Sequence, residues 1–287
     1  MVKREGRNRL MALEFPNPTW FVGCGNMAGA MVEGWRSAGV DMSRAIAIRP
    51  SGKAVEGVRT VASMAQAMTD GGEAPKLAIL GFKPQKLDEI APELARLLTG
   101  ETVILSMLAG VEAATLRSRF MRSRSVVRVM PNLPVSIRRG VIALYSDDAE
   151  DSLRDQLAEL TAALGYAMWT TTEAGLAAVG SVAGAGPAYV ARFVRALGKA
   201  AERRGLPPAL AASIALETVL GSAWLAATTR ESMDQIARRV ASPNGTTEAG
   251  LAVLDREGVL DALIAVTIDA AARRGAELAE EAASPAS

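Results

Sequence analysis

The chain has 287 residues, 49% of them hydrophobic, which is enough apolar material for two cores of ordinary domain size. The 32 Lys and Arg residues nearly balance the 31 Asp and Glu residues, so net charge gives no general attraction to nucleic acid or to an acidic membrane. Cys24 is the only cysteine and histidine is absent, which excludes an internal disulfide, a zinc site built on the usual ligands and a Ser-His-Asp triad.

The N-terminal segment is charged but has no hydrophobic core. Residues 1–14 include four basic side chains, and residues 1–16 are predicted to form an N-terminal extension rather than a secretory signal. No apolar run along the chain approaches the roughly 18 residues that span a bilayer. Together with the single cysteine, these features predict a cytoplasmic protein that binds neither membrane nor nucleic acid.

The first predicted strand, residues 19–23, leads into a glycine-rich turn, and a helix-forming run over residues 27–38 follows. The turn has the pattern G-x-G-x-x-A: Gly23 permits a tight bend, Gly25 admits a pyrophosphate and Ala28 lets the helix pack on the strand. The phosphates would bind the free N–H groups of the first helical turn. The predicted cofactor residues here are Phe21, Val22, Gly23, Cys24, Gly25, Asn26 and Met27.

A simpler interpretation of this turn remains open, since small residues also join strands to helices for packing alone. The small side chain of Cys24 fits inside the turn, which favours a packing role over a nucleophilic one.

The second predicted strand, residues 45–49, ends in Arg49-Pro50-Ser51. NAD-binding versions of this fold carry an acidic residue there, which holds the ribose 2′-hydroxyl. Arg49 and the Ser51 hydroxyl would instead bind a 2′-phosphate through charge-assisted hydrogen bonds, which favours NADPH over NADH. The alternative is an exposed arginine in an ordinary turn.

Strands and helices continue to alternate along the first half of the chain. This predicts an α/β Rossmann-type N-terminal domain over residues 17–171, with a largely parallel sheet and helices on both faces. The loops Gly81-Phe82-Lys83-Pro84 and Met107-Leu108-Ala109-Gly110 follow strands at the carboxyl edge, where such sheets bind ligands. The other predicted strands are residues 76–82, 102–108, 125–130, 141–145 and 166–171, with helices over residues 86–98 and 111–119.

Beyond about Glu173 the strand signal disappears and alanine dominates. A helix over residues 186–205 carries an apolar stripe, and the next, over residues 207–227, is apolar almost all round apart from Glu217. Such a helix must be buried on several sides, so a second subunit is expected to cover it. We predict an all-α C-terminal dimerisation domain over residues 172–281, followed by a disordered tail, residues 282–287. Further helices are predicted over residues 231–240, 247–256 and 259–281.

A second cluster, Ser242-Pro243-Asn244-Gly245-Thr246-Thr247-Glu248, lies at the start of the helix predicted from Thr247. Pro-Asn-Gly favours a turn, and the free N–H groups at the helix start would hold a small carboxylate beside the two threonine hydroxyls. An ordinary N-cap threonine with no ligand would explain the same residues.

Together these motifs resemble the pyrroline-5-carboxylate reductase family over nearly the whole chain. The resemblance implies a Rossmann domain and a helical domain that interlocks with a partner subunit in a homodimer, commonly within a ring of dimers. It also implies reduction of Δ1-pyrroline-5-carboxylate to L-proline by hydride transfer from NADPH or NADH, the last step of proline biosynthesis. The motifs are the glycine turn, Phe82-Lys83-Pro84, Met130-Pro131-Asn132-Leu133-Pro134, Gly184-Ala185-Gly186-Pro187-Ala188-Tyr189, Gly205-Leu206-Pro207, Ser242 to Thr247, and Ala271 to Leu278.

The resemblance implies roles for individual residues. The backbone at Thr246, Thr247 and Glu248 would hold the substrate carboxylate, with the active site lying between this segment and the cofactor. The Thr247 hydroxyl would be the catalytic group that bonds the ring nitrogen, and Ser242 belongs to the same substrate site. The implied cofactor contacts beyond the glycine turn are Arg49, Ser51, Gly81, Phe82, Lys83, Pro84, Ala109, Gly110 and Asn132. Positioning two rings suffices for hydride transfer to a protonated imine, so the absence of histidine is compatible with this chemistry.

The chain departs from the family pattern at several positions, which affects the expected substrate affinity or the identity of the imine. One alternative is an NADP-dependent reductase of another cyclic imine or keto acid. Such enzymes typically use a helix lysine as acid, but Lys199, the only lysine in the helical half, is expected to be exposed and solvated. Another is a non-catalytic NADP-binding dimer. The departures are Leu133 for threonine, Ala183 and Ala185 for serines, Asn244 for glycine, and Arg238-Arg239 for an acidic residue.

Overall fold

The computed structural model describes residues 15–69 and 72–283, which form two compact units. The first comprises residues 15–184 with residues 272–283, and the second comprises residues 185–271. The first unit therefore extends past the predicted domain boundary at residue 171. Of the predicted N-terminal extension and C-terminal tail, residues 1–14 and 284–287 lie outside the described part of the chain. Phe15 is 3% exposed, and its ring centroid lies 5.1 Å from that of Trp35, so the packed core begins before residue 17.

One eight-stranded sheet forms the centre of the first unit. Its strands are β1 (Thr19–Val22), β2 (Ala45–Ile48), β3 (Arg59–Val61), β4 (Leu77–Leu80), β5 (Val103–Ser106), β6 (Ser125–Pro131), β7 (Gly140–Tyr145) and β8 (Gly165–Trp169). They lie in the order β3-β2-β1-β4-β5-β6-β7-β8, and every neighbouring pair is parallel except β6 with β7. This topology confirms the predicted Rossmann-type fold class.

Helices cover both faces of the sheet. Neighbouring strand residues point to opposite sides, so strands such as β1 contribute apolar side chains to two cores. Phe21 belongs to the core under Trp35, whereas Trp20 belongs to a second core that contains Leu94 and Phe120. The helices of this unit are α1 (Asn26–Ser37), α2 (Met64–Met68), α3 (Leu87–Leu97), α4 (Ala113–Arg119), α5 (Asp151–Ala162) and α6 (Glu173–Val179).

Besides α5 and α6, two short elements were not predicted from the sequence. The edge strand β3 has three residues with one buried side chain, and α2 has five residues. Neither is long enough to show the alternation or the helical period on which sequence assignment depends.

The second unit is entirely helical, as predicted. It contains α7 (Gly186–Arg203), α8 (Pro208–Thr229), α9 (Met233–Val240), α10 (Thr246–Leu254) and the start of α11 (Val259–Ala283), whose last turns belong to the first unit. Helices α7 and α8 pack at Gly198, where an added Cβ would lie 3.5 Å from Ala211 O.

Much of the apolar surface of this unit faces outward. Phe193, Leu216, Leu220 and Trp224 are between 52% and 57% exposed. The segments Glu173–Arg203 and Pro208–Thr229 are long and apolar enough to cross a membrane by length and composition alone, with mean hydropathies of 1.3 and 1.5. The sequence analysis found no uninterrupted apolar run of this length, whereas an average over 18 residues tolerates the polar residues that interrupt these two segments.

Candidate cofactor and substrate sites

The glycine turn after β1 is held by the two neighbouring strands. Gly23 has φ +78°, and its N–H donates to Ile48 O at the end of β2 (3.0 Å). A Cβ at this position would lie 2.8 Å from Phe82 N, in the loop after β4. Only glycine fits both the backbone conformation and this close approach. The turn and the Gly81–Pro84 loop are therefore packed together at one sheet edge, as predicted.

Gly25 leaves open the space that a phosphate needs. It is the N-cap of α1, and a Cβ added to it would meet no heavy atom within 4 Å. The hydrogen bond from Gly29 N to Gly25 O begins the helical pattern, so the N–H groups that precede Gly29 in the first turn have no helical acceptor. That turn holds no acidic residue. This arrangement suits an anion such as a pyrophosphate.

A cavity of about 770 Å³ opens beside the turn and is lined by Gly25, Arg49 and Lys53, among others. Glu33 and Glu56 also line this cavity, but Glu56 pairs with Arg36, and within residues 15–69 and 72–283 no carboxylate forms an ion pair with Arg49 or Lys53. Arg49 was predicted, but Lys53 was missed, although a second cation four residues further along the same turn is visible in the sequence. Ser51 is exposed on this turn, and its Oγ accepts a hydrogen bond from Lys53 N (3.4 Å).

Cys24 is 2% exposed inside the turn. Burial raises the pKa of its thiol to about 11, and the nearby charge of Arg49 opposes that rise. A thiol with such a pKa stays protonated at neutral pH, so it is a weak nucleophile.

The loop after β5 also lies at the carboxyl edge. Ala109 is exposed, whereas Gly110 has φ +75° and packs against the end of α11, where an added Cβ would lie 2.8 Å from Ala279 N. Sequence reasoning missed this contact because the two residues are far apart in the chain. It places the last turns of α11 beside a predicted cofactor loop.

Asn132, a predicted cofactor contact, has protein partners at both ends of its side-chain amide. Its Oδ1 accepts from Val141 N (2.8 Å) and its Nδ2 donates to Ala183 O (3.0 Å). The residue is 6% exposed. The neighbouring Leu133, by contrast, is 56% exposed.

In the second unit, α10 begins at Thr246, one residue before the predicted start. The turn ahead of it places Asn244 at φ +59°, and Ala249 N donates to Gly245 O (3.2 Å). The backbone N–H groups of Thr246, Thr247 and Glu248 lie in the first turn, as an anion site requires. Ser242 borders this turn, since a Cβ at Gly245 would lie 2.5 Å from Ser242 Oγ.

One carboxylate already lies at this helix start. Glu248 Oε2 accepts a hydrogen bond from Asn244 N (2.6 Å), outside the first helical turn. Thr247 is partly buried, and α10 has no side-chain N-cap bond. The ordinary N-cap interpretation therefore lacks its hydrogen bond. Lys199, the acid of the alternative reductase, is exposed and paired with Glu202 at 2.7 Å.

Two family models match separate parts of the chain. Residues 173–278 match the family model for pyrroline-5-carboxylate reductase dimerisation, and residues 20–110 match that for NADP oxidoreductase, coenzyme F420-dependent. A pyrroline-5-carboxylate reductase of Pseudomonas aeruginosa is 35% identical over 91% of this chain and 96% of its own length. Pyrroline-5-carboxylate reductase 2 of Bacillus subtilis is 32% identical over 91% and 95%.

The chain belongs to the pyrroline-5-carboxylate reductase family. A solved pyrroline-5-carboxylate reductase from Coxiella burnetii superposes with a TM-score of 0.80 at 29% identity, covering 92% of this chain and 99% of that one. A pyrroline carboxylate reductase from Plasmodium falciparum, solved with NADP bound, shares the fold with a TM-score of 0.80, at 20% identity over 93% and 99% of the two chains. The resemblance inferred from the motifs is thereby confirmed.

Proposed function

We propose that this protein reduces Δ1-pyrroline-5-carboxylate to L-proline with a hydride from NADPH, the last step of proline biosynthesis, and that NADH can substitute. The observation that carries the proposal is the 35% identity to a pyrroline-5-carboxylate reductase over 91% of this chain and 96% of the relative. That relationship spans both the nucleotide-binding unit and the helical unit.

The residues present fit a nicotinamide dinucleotide. Gly25 offers open space at the start of α1, and Arg49 and Lys53 supply two cations to the adjacent cavity. When bound, the coenzyme supplies the hydride that reduces the C=N carbon. The loops Gly81–Pro84 and 107–110 would bind its remainder, because both follow strands at the carboxyl edge.

The substrate would be held by the start of α10. Its carboxylate would accept hydrogen bonds from the N–H groups of Thr246, Thr247 and Glu248, where the helix dipole also favours negative charge. The Thr247 hydroxyl would hydrogen-bond the ring nitrogen, its oxygen accepting from the N–H of the protonated imine, and Ser242 would border the site. Because a protonated imine is already a good hydride acceptor, these groups need only orient it.

We also propose a cytoplasmic homodimer, assembled through the exposed apolar helices of the second unit and able to join a ring of dimers, without membrane or nucleic-acid partners. The support is the dimerisation-family match over residues 173–278, which includes both apolar segments. Sedimentation of the purified protein without detergent tests this assembly, and a requirement for detergent would favour membrane insertion.

The decisive experiment follows NADPH consumption by the purified protein with pyrroline-5-carboxylate, alongside a panel of other cyclic imines and keto acids. We expect turnover with pyrroline-5-carboxylate and identification of L-proline by mass. Turnover of another panel member alone would favour the alternative reductase. Coenzyme binding without turnover of any panel member would favour the non-catalytic dimer.

A further inference from the structure

Three side chains near the carboxyl end of β6, two within the strand and one just past it, lie on one face, because residues two apart along extended backbone point the same way. Arg128, Met130 and Asn132 are these residues. Each of them contacts a successive point along α6 and the π-helical turn that follows it, Gly180–Gly184. The contacts at the carboxyl end of β6 therefore extend along the whole segment, from Glu173 to Ala183.

The first two contacts fix the beginning of the segment. Arg128 Nη1 donates to Glu173 Oε1 in the first turn of α6 (2.9 Å), and Arg128 is only 8% exposed. Met130 lies against Gly180, where an added Cβ would come within 3.2 Å of Met130 Cε. The π-helical turn thus begins in contact with β6.

Asn132 makes the third contact, and its partners define the orientation of the amide. Val141 N can only donate and Ala183 O can only accept, so Oδ1 must face Val141 and Nδ2 must face Ala183. Each end of the amide makes one hydrogen bond to the protein, and only 6% of the residue is exposed, so little of the side chain is open to a ligand. Its hydrogen bond to Ala183 O connects the Gly180–Gly184 turn to the end of β6, and we call this bond the tether.

The location of the tether connects it to the reaction. Strands β5 and β6 are parallel, so Asn132 lies at the same sheet edge as the 107–110 loop, where the nicotinamide end of the coenzyme would bind. π-helical turns occur frequently at functional sites. Ala183 and Ala185 stand where the family commonly has serine, so these positions offer no hydroxyl to share the tether.

We propose that Asn132 is a positioning residue for hydride transfer and not a coenzyme ligand: it holds the Gly180–Gly184 turn against the end of β6. This inference rests on the proposed reductase function. Loosening the turn would misplace a wall of the reaction site while leaving the phosphate-binding and ribose-binding residues intact. The cost should therefore fall on kcat and not on NADPH affinity.

Asn132→Asp tests this directly, because it keeps the size and the acceptor for Val141 N but replaces the donor facing Ala183 O with a repelling oxygen. We expect kcat to fall about 10- to 100-fold, the scale of a small misplacement of reacting groups. The NADPH dissociation constant should change less than about twofold, on the argument that an interaction absent from binding leaves affinity unaltered. The primary isotope effect with NADPH deuterated at the transferred position should rise, and amide hydrogen exchange over residues 180–185 should accelerate.

Thr102→Val is the matched control, since it removes a buried hydroxyl that donates to Pro75 O (2.6 Å) from the amino edge of the same sheet. It should lower thermal stability without changing the isotope effect or the exchange at residues 180–185. If Asn132→Asp folds poorly, Gly180→Val is the second test. It displaces the Gly180–Gly184 turn from its other end and should give the same fall in kcat with the same NADPH affinity.

A loss of NADPH affinity of tenfold or more with kcat retained would overturn the proposal and make Asn132 a coenzyme ligand. Identical behaviour of Asn132→Asp and Thr102→Val would also overturn it, leaving a purely structural residue. If the wild-type protein fails to reduce pyrroline-5-carboxylate, the proposed function fails. Exchange at residues 180–185 still measures the tether in that case.

Discussion

Arg49 and Lys53 line one cavity together with Glu33 and Glu56, and within the described residues neither cation forms an ion pair with a carboxylate. A 2′-phosphate would meet two cations there, whereas NADH would leave both without a partner. We expect Arg49→Glu to weaken NADPH binding about 10- to 100-fold and to change NADH binding far less, as charge-assisted hydrogen bonds predict. Titration of coenzyme fluorescence measures both affinities.

Arg96→Glu is the control for this charge reversal, because Arg96 is exposed on α3, outside the cavity lining. It should leave the ratio of the two affinities unchanged. An unaltered ratio in Arg49→Glu itself would show that Arg49 does not bind the 2′-phosphate.

Thr247 lies partly buried in the first turn of α10, where its hydroxyl is proposed to contact the ring nitrogen. We expect Thr247→Ala to lower kcat about 10- to 1000-fold, a range centred on the roughly 100-fold cost of misplacing a reacting group. The carboxylate contacts come from the backbone, so KM should move less. Thr228→Val removes a helical hydroxyl bonded to Trp224 O, and it should leave steady-state kinetics as they are. Unchanged kinetics in Thr247→Ala would remove that hydroxyl from the mechanism.

The turn between β1 and α1 contains two glycines that serve different purposes. Gly23 is required by the fold, since its φ is +78° and Phe82 N would lie 2.8 Å from a Cβ. Gly25 has φ −82° and open space around it. A side chain at Gly23 should disturb folding, whereas a side chain at Gly25 should fill the space proposed for the phosphates.

We therefore expect Gly25→Val to abolish detectable NADPH binding while lowering the free energy of unfolding by only about 1 kcal/mol, as an N-cap change does. Gly23→Val should cost roughly 3 kcal/mol or more through backbone strain and collision. Calorimetric titration and denaturant unfolding distinguish the two. Normal coenzyme affinity in a folded Gly25→Val variant would contradict the assignment of this turn to phosphate binding.

At this same scale the sequence predicts local features well and contacts between distant segments poorly. The glycine turn, the cation at residue 49 and the start of α10 follow from neighbouring residues, and each lies within one residue of its predicted place in the structure. The partners of Asn132 lie 9 and 51 residues away, and Gly110 meets Ala279. No periodicity in a single sequence encodes such pairs, so the sequence assigned Asn132 to the coenzyme with no sign of its two protein partners.

At the scale of the whole molecule, α8 carries two large apolar side chains exposed on the same helical face. Leu216 and Leu220 are four residues apart and are 54% and 57% exposed. We expect the double substitution Leu216→Glu with Leu220→Glu to weaken the dimer at least about 100-fold, because it buries charge in an apolar interface. Light scattering over a dilution series measures the dissociation.

Met121→Glu provides the comparison, since Met121 is 80% exposed but lies in the first unit. That variant should remain dimeric. A dimer that survives both glutamates on α8 would place the subunit contact on a different surface.

The path of the chain through its two units has a further consequence. It leaves the first unit at Gly184 and returns at Ala272 within the continuous helix α11, whose end packs on Gly110. The helical unit is thus topologically an insertion and not an appendage. A single nick by a protease between residues 185 and 271 would leave each fragment covalently joined to part of the nucleotide-binding unit, and a stop codon after residue 271 would remove a strip of that unit's own surface.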